Sequence, residues 1–470
     1  MYNIVKAAKY SVTSNLFAAI ISVLMVLILP KFMSIEDYGY WQLYLFYLSY
    51  VGFFHFGLIN GIHVRYAGMD YSLLDKKMLS GQLYALVIFD LIIALAACLY
   101  VLLTLAPPMV FILSLVSIVG LFVLLSTFSS FILQSTAQIS EYSKLIMFER
   151  LIFSLGIVLY VIFGGKDFLG LIWISLFSRF TGMLYGGYLI KDIVVAAPYS
   201  FRETMSEVCR NISVGIKIML ANIASMFILG IARFGISQGW DIETFGKVSL
   251  ALSISNFMMI FISALSVVLF PMIKNMDTKQ RLRTYKMLKN SLSLCLLSLL
   301  CFYYPLYILL LKWLPKYADS LQYIVLLMPI CIFESKITLL TNTYLQSFRK
   351  EKLMLIVNII AVALILLLTL IGVKVLYSLN FVLAAILLTF VFRYMFAEYF
   401  LSTLMGFDFL KDNISELCLV AVFTMVFQSL NGIVASCIYI CSYLIYLFSK
   451  KADIINLRAQ IVRYRSKTPQ

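Results

Sequence analysis

Apolar windows of roughly 20 residues, the length that crosses a bilayer as a helix, follow one another along the whole chain with only short polar breaks between them. They lie near 11–32, 39–63, 81–104, 109–134, 144–163, 168–190, 213–235, 246–272, 289–311, 320–345, 353–373, 376–401, 414–430 and 433–449. The pattern predicts an all-α polytopic membrane protein of about 14 transmembrane helices. The breaks carry turn chemistry: Pro107-Pro108 after the third window, Gly164-Gly165-Lys166-Asp167 after the fifth and Asn431-Gly432 between the last two. No connection on the external side exceeds about a dozen residues, so function is expected within the bilayer.

Composition sharpens this. Hydrophobic residues make up 63% of the chain and charged residues 13%, about half the charged share of a soluble domain. Mean hydropathy is +0.98. The net charge of +15 would suggest nucleic acid in a soluble chain, but its distribution is topological. With the N-terminus in the cytoplasm, about 25 Lys and Arg fall in cytoplasmic segments, about six outside and about six within spans, which predicts that both termini are cytoplasmic. The basic loop from Lys274 to Lys289 fits a solvated cytoplasmic turn. The stretch Leu16–Leu29 runs into Pro30-Lys31 rather than small cleavage-site residues, and reads as a retained first span. The eight cysteines have no disulfide or zinc spacing. Neither a P-loop nor an HExxH motif occurs, so no catalytic residue, no metal site, no nucleotide-driven step and no nucleic-acid partner is expected.

The chain also repeats itself. Ile35-Glu36-Asp37-Tyr38-Gly39 with Leu43 matches Ile242-Glu243-Thr244-Phe245-Gly246 with Leu250 at an offset of 207 residues. Leu133-Gln134-Ser135 with Lys144-Leu145 matches Leu345-Gln346-Ser347 with Lys352-Leu353 at offsets of 212 and 208. Six spans separate the copies, an even number, so two six-helix bundles related by a pseudo-two-fold along the membrane normal are expected. Their bounds are 1–200 and 201–410, with a charged loop over 191–212 between them and an additional helix pair with a basic tail over 411–470. Two bundles around a cleft imply alternating access. The GxxxG patterns Gly57–Gly61 and Gly182–Gly186 permit close helix contact.

Several of these residues resemble a known family. Leu29-Pro30-Lys31 through Asp37-Tyr38-Gly39-Tyr40-Trp41, the Tyr50–Gly57 stretch, Phe245-Gly246 with Leu269-Phe270-Pro271, and Trp313-Leu314-Pro315-Lys316-Tyr317-Ala318 resemble the polysaccharide-transport family of the multidrug, oligosaccharidyl-lipid and polysaccharide exporter superfamily. These are the O-antigen and capsule repeat-unit flippases of the Wzx type. The resemblance implies a V-shaped two-lobed fold and movement of undecaprenyl-pyrophosphate-linked oligosaccharide across the bacterial inner membrane. It also implies polysaccharide polymerase machinery and membrane lipids as partners. Members often have twelve spans, and the additional pair here looks more like the lipid II flippase branch.

An ionisable residue at the centre of a span costs about 2.5–3.5 kcal/mol on insertion scales and needs a partner, a wet cavity or a use. The cations within spans are Arg150, Arg179, Lys217, Arg233, Lys336 and Arg393, and the anions Asp90, Glu149, Glu334 and Glu398. Arg179 lies in mid-span and is the first candidate for substrate binding, its alternative being a structural pair with an acid such as Asp90. Arg150, Lys336 and Arg393 fall in the cytoplasmic halves of their windows, suited to capturing an anionic head group in a shared cationic cavity, or else to pairing with Glu149, Glu334 or Glu398 across helices. Lys217 and Arg233 can reach water by snorkelling. Asp90 and Glu334 are candidates for H+ or Na+ coupling or for neutralising an arginine. His55 reads as a hydrogen-bonded core histidine. Together with these charges, the resemblance implies as the expected function a flippase for a polyprenyl-pyrophosphate-linked oligosaccharide. A multidrug exporter would favour an acidic cleft, and a polysaccharide polymerase or ligase a large external loop.

Overall fold

The computed structural model describes residues 20–257, 259 and 278–451. The start of the first window, the second half of the eighth with Leu269-Phe270-Pro271, part of the basic loop and the tail after residue 451 lie outside them. In order, the helices are α1 (Ile20–Phe32), α2 (Ile35–Val51), α3 (Leu58–Tyr66), α4 (Lys76–Thr104), α5 (Met109–Ser135), α6 (Ile139–Ile162), α7 (Phe168–Leu189), α8 (Phe201–Gly239) and α9 (Ile242–Ser255). There follow α10 (Thr278–Leu300), α11 (Tyr303–Trp313), α12 (Ile324–Ser347), α13 (Glu351–Val375), α14 (Leu379–Met405), α15 (Leu410–Ser429) and α16 (Gly432–Ser449). Every window contains helix over its described residues, and no strand occurs among the described residues. Nine of these helices are individually long and apolar enough to cross a membrane, and the bent pair α10–α11 adds a tenth among the described residues.

Two windows are broken for local reasons. The second is divided at 52–57, where Phe56 and Gly57 take positive φ values of 47° and 87° and the Gly57 N–H donates to His55 Nδ1 at 2.9 Å. His55 is thus a capping acceptor in the core. The ninth bends by 45° between α10 and α11. Pro305 follows the break at the third residue of α11, where a missing N–H and a ring that crowds the preceding turn favour a kink.

The chain forms two compact units, unit 1 of Met1–Met226 with Trp240–Gly246 and unit 2 of Phe227–Gly239 with Lys247–Gln470. Helix α8 therefore belongs to both, and α15 and α16 are part of unit 2. The charged segment read as a loop over 191–212 is helical from Phe201 onward. Hydropathy misses that turn because Arg202, Glu203, Glu207 and Arg210 crowd it. Glu207 and Asn211 then grip Arg65 at 2.6 and 2.5 Å.

Helix packing follows membrane rather than water rules, with small residues at contacts and large apolar ones outward. On α4, Leu95, Leu99, Leu102 and Leu103 are exposed while Ser80, Gly81 and Gln82 are buried. In unit 1, Gly57 and Gly61 of the first GxxxG pattern meet the backbone of α8 at Ile216 and Asn211. In unit 2, α12 is the central helix, with most of its residues buried.

The internal repeat is visible as matched local geometry. Helices α2 and α9 start 207 residues apart. Ser34 caps α2 by accepting the Asp37 N–H at 3.0 Å, and Asp241 caps α9 by accepting the Thr244 N–H at 3.0 Å. At the second match, Ala137 and Arg349 both have positive φ, 56° and 53°. The next residues donate identically, Gln138 to the Leu133 carbonyl and Lys350 to the Leu345 carbonyl, each at 2.9 Å. Asp37 also accepts the Phe168 N–H at 3.2 Å, tying the start of α2 to the start of α7. Asp167 caps α7; the Tyr160 hydroxyl and the Gly170 N–H donate to its carboxylate and hold it below the usual range.

Candidate functional site

The candidate charges stand near the middles of their helices. Helix α6 begins at Ile139, ahead of its window, because its polar first turn with Ser140, Glu141 and Lys144 escapes an apolar scan. Arg150 consequently stands at the middle of α6. Arg179, Lys336 and Arg393 likewise lie within two residues of the middle of α7, α12 and α14, and Asp90 is the midpoint of α4.

In unit 1 the acid facing Arg179 is Glu149 of α6. Asp90 is not its partner. Three residues of α7 converge on Glu149: the Ser178 hydroxyl donates to its carbonyl at 2.8 Å, Arg179 pairs with its carboxylate, and Gly182 leaves room for it. A Cβ at Gly182 would come within 2.9 Å of Glu149 Oε2, so the second GxxxG pattern seats the carboxylate as well as packing the helix. Arg150, the next residue on α6, lies within electrostatic range of both Glu149 and Arg179. Two guanidinium groups and one carboxylate thus stand within electrostatic range of one another, with Arg179 alone paired to Glu149, and the centre is locally positive. Arg179 keeps 28% of its side-chain surface accessible and Glu149 13%. Beside them Tyr44 is joined to Ser175 at 3.0 Å and stacks on Trp41, with centroids 5.3 Å apart.

Asp90 lies elsewhere in unit 1, lining a cavity of about 230 Å³ with Tyr47, Tyr50, Phe54 and Ser117. It is 4% exposed, and neither carboxylate oxygen has a hydrogen-bond partner among the described residues.

In unit 2 the cations are engaged. Arg393 is 1% exposed and donates to Glu334 of α12 and to Asn358 of α13, both at 2.9 Å. Lys336 is fully buried and paired with Glu416 of α15. Beside it Glu398 accepts from Lys289 at 2.5 Å, from Tyr285 at 3.0 Å and from Asn413. These contacts clasp α10, α12, α14 and α15 through two cations and two anions. Lys336 immediately precedes a π-helical turn, Ile337–Asn342, a distortion that lets one side chain leave the regular ladder.

Sequence reasoning misses Lys289 and Glu416 as site residues because both stand at the edge of an apolar window, where a charge passes for a loop residue. The available signal is an unmatched carboxylate three positions into the thirteenth window. Glu149 and Glu334, one and two residues from Arg150 and Lys336, pair across helices with Arg179 and Arg393 instead, since neighbours one or two apart do not face each other, and Glu398, five residues from Arg393, pairs with Lys289. The eight cysteines are unpaired, and no group of His, Cys, Asp or Glu suited to a metal ion occurs among the described residues.

No family profile matches the sequence, and no curated protein is matched by sequence. Solved structures do match. The lipid II flippase MurJ in an inward closed conformation has a TM-score of 0.67 at 14% identity, covering 95% of this chain and 99% of that one. An inward-facing multidrug resistance MATE transporter of the MOP superfamily has 0.63 at 11% identity, covering 83% and 100%. A point mutant of a MATE transporter has 0.52 at 12%, covering 86% and 96%. The chain is an all-helical, multi-pass membrane protein with the fold of MOP-superfamily transporters.

Proposed function

We propose that this protein is a flippase that carries a polyprenyl-pyrophosphate-linked oligosaccharide repeat unit from the cytoplasmic to the outer leaflet of a bacterial inner membrane by alternating access. The observation that carries the reading is the centre in unit 1 where Arg179 pairs with Glu149 in mid-helix and Arg150 lies within electrostatic range of both. A locally positive, partly accessible pair of guanidinium groups replaces the water a pyrophosphate loses on entering the membrane, and the planar forks match its oxygens two at a time. An inside-negative potential then favours outward movement by about 2.3 kcal/mol per charge per 100 mV. No covalent step is needed.

Coverage supports a lipid-linked cargo over a drug. The 5% of this chain left unmatched by the lipid II flippase is smaller than the α15–α16 pair, so at least part of that pair has a counterpart there, while the MATE transporter leaves 17% unmatched. Lys336 and Arg393, both in buried ion pairs, are assigned to holding unit 2 together.

The multidrug alternative draws on Asp90, an unpartnered acid in an aromatic cavity that would attract a cation. At about 230 Å³ that cavity is below the roughly 300–1,000 Å³ of small-molecule sites, and we assign it to the coupling ion, H+ or Na+. The test is reconstitution in liposomes with a lipid-linked oligosaccharide and a membrane-impermeant glycosidase. Wild-type protein should expose the inner-leaflet pool to the enzyme and Arg179→Ala should not. Equal exposure by both proteins overturns the reading.

A further inference from the structure

A large cavity in unit 2 is unrelated to the buried ion pairs. It measures about 750 Å³ and opens where α11 starts, α12 and α14 begin and α15 turns into α16. Its aromatic wall comes from the Pro305 bend: Tyr304 and Tyr307 lie nearly parallel, 11° apart with centroids 6.4 Å apart. Tyr303 is held behind them edge-on to Phe423 and Phe427. Gly432 is the support, because a Cβ there would collide with the Tyr304 ring. The lining also carries four amide side chains, Gln322, Asn380, Gln428 and Asn431. All four are exposed, and none makes a side-chain hydrogen bond to another described residue. A second depression of about 490 Å³ continues from it through Gln322, Tyr323 and Asn380 to Asp319 and Tyr377. No basic residue lines either depression among the described residues.

Parallel aromatic faces with several unengaged amides suit a ligand that is flat and apolar on its ring faces and offers hydroxyls around its edge. An amide both donates and accepts, as a hydroxyl does, whereas a phosphate accepts only and would select the arginines and lysines that are missing here. The volume falls within the roughly 300–1,000 Å³ of small-molecule sites. The turns around it, at 314–317, 376–378 and 430–431, are those the positive-inside count places outside.

We infer that this aromatic and amide cavity binds a neutral saccharide, the sugar portion of the cargo on the receiving side of the membrane. The inference rests on the flippase reading and adds a recognition step to it, separate in residues and in chemistry from the arginine centre of unit 1.

The test uses full-length protein in detergent and the oligosaccharide released by mild acid from the host's own lipid carrier, observed by saturation-transfer NMR. Wild-type protein should bind it saturably. Tyr307→Ala and Asn380→Ala should each weaken binding at least tenfold, while Tyr307→Phe, which keeps the ring, and Arg179→Ala, which lies in the other unit, should leave it unchanged. Inorganic pyrophosphate should not compete, and the intact lipid-linked form should. Absence of binding to wild type, displacement by pyrophosphate, or equal binding by Asn380→Ala protein with an unchanged melting temperature overturns the inference. Lost transport in Arg179→Ala with unaltered sugar binding in Tyr307→Ala would overturn this site alone. Transport unaffected in Arg179→Ala, with the expected binding losses at Tyr307 and Asn380, would overturn the arginine role and leave the saccharide site standing.

Discussion

Gly246 lies so close to Gly39 that a Cβ added to it would sit 2.8 Å from the Gly39 Cα. The two glycines are repeat equivalents, each in the first turns of a helix that starts 207 residues from the other. A Cβ on Gly39 would in turn strike the carbonyl of Ile242, a backbone group that cannot rotate away. Gly39→Val and Gly246→Val should therefore destabilise the protein by about 1–3 kcal/mol, the usual cost of forcing volume into a close contact. The check is a lower melting temperature in detergent and lower abundance. Gly187→Ala meets nothing within 4 Å and should be neutral or slightly stabilising. A normal melting temperature for Gly246→Val would disprove the close contact.

The clasp in unit 2 gives a prediction of opposite sign for single and double changes. Lys336 and Glu416 are 0% and 3% exposed, and removing one charge strands the other, at a cost of about 3–5 kcal/mol. Lys336→Met or Glu416→Leu alone should lower abundance sharply, and the two together should recover most of it because well-packed apolar residues can replace a buried pair. Were Lys336 instead a cargo ligand, single and double variants would both be abundant and inactive.

How much of this could be read from residues depends on the distance over which each feature acts. Hydropathy and turn chemistry are local, and Pro107-Pro108, Gly164-Gly165 and Asn431-Gly432 all fall between helices or at their first residue, as their residue types require. The repeat was legible because capping is local too, with Ser34 and Asp241 doing the same work. Pairing is not local. Nothing in the sequence distinguishes Glu149 from Asp90 as the partner of Arg179, since that choice depends on which helix faces α7, and a glycine four residues from a serine is the only local trace of the seat. Helix bounds are a related case: polar first turns extend helices beyond the apolar windows that reveal them, which puts Arg150 at the middle of α6.

Orientation is open to direct labelling. With both termini cytoplasmic, cysteines placed at Lys166 and Lys316 should react with a membrane-impermeant reagent added to intact cells, and one at Lys350 should not, because the positive-inside count puts only the last on the cytoplasmic side. The reverse pattern would invert the topology and with it the side assigned to the saccharide cavity.

Asp90 is predicted to behave unlike a structural acid. Both of its oxygens are buried without a hydrogen bond, so Asp90→Asn removes a costly charge and should keep or raise the melting temperature. If the carboxylate holds the coupling ion, the same change should abolish the dependence of transport on pH or Na+. Loss of protein in Asp90→Asn would point instead to an essential charge partner.

The last prediction concerns Arg179 and follows from the identity of its partner. A substrate-binding role and a structural pair both make Arg179→Ala inactive, so activity alone decides nothing. They differ in what happens to Glu149. As a mere structural pair, Arg179→Ala leaves a 13% exposed carboxylate without its partner, costing several kcal/mol and appearing first as lost protein, and Glu149→Gln in the same chain should restore both abundance and transport. As an anion site, Arg179→Ala should be abundant and inactive, and adding Glu149→Gln should not restore transport. Arg179→Lys should retain part of the activity, since it keeps the charge and loses the bidentate fork. Abundance and outer-face glycan measured for the three variants separate the cases, and joint recovery of both quantities in the double variant would remove Arg179 from the transport path.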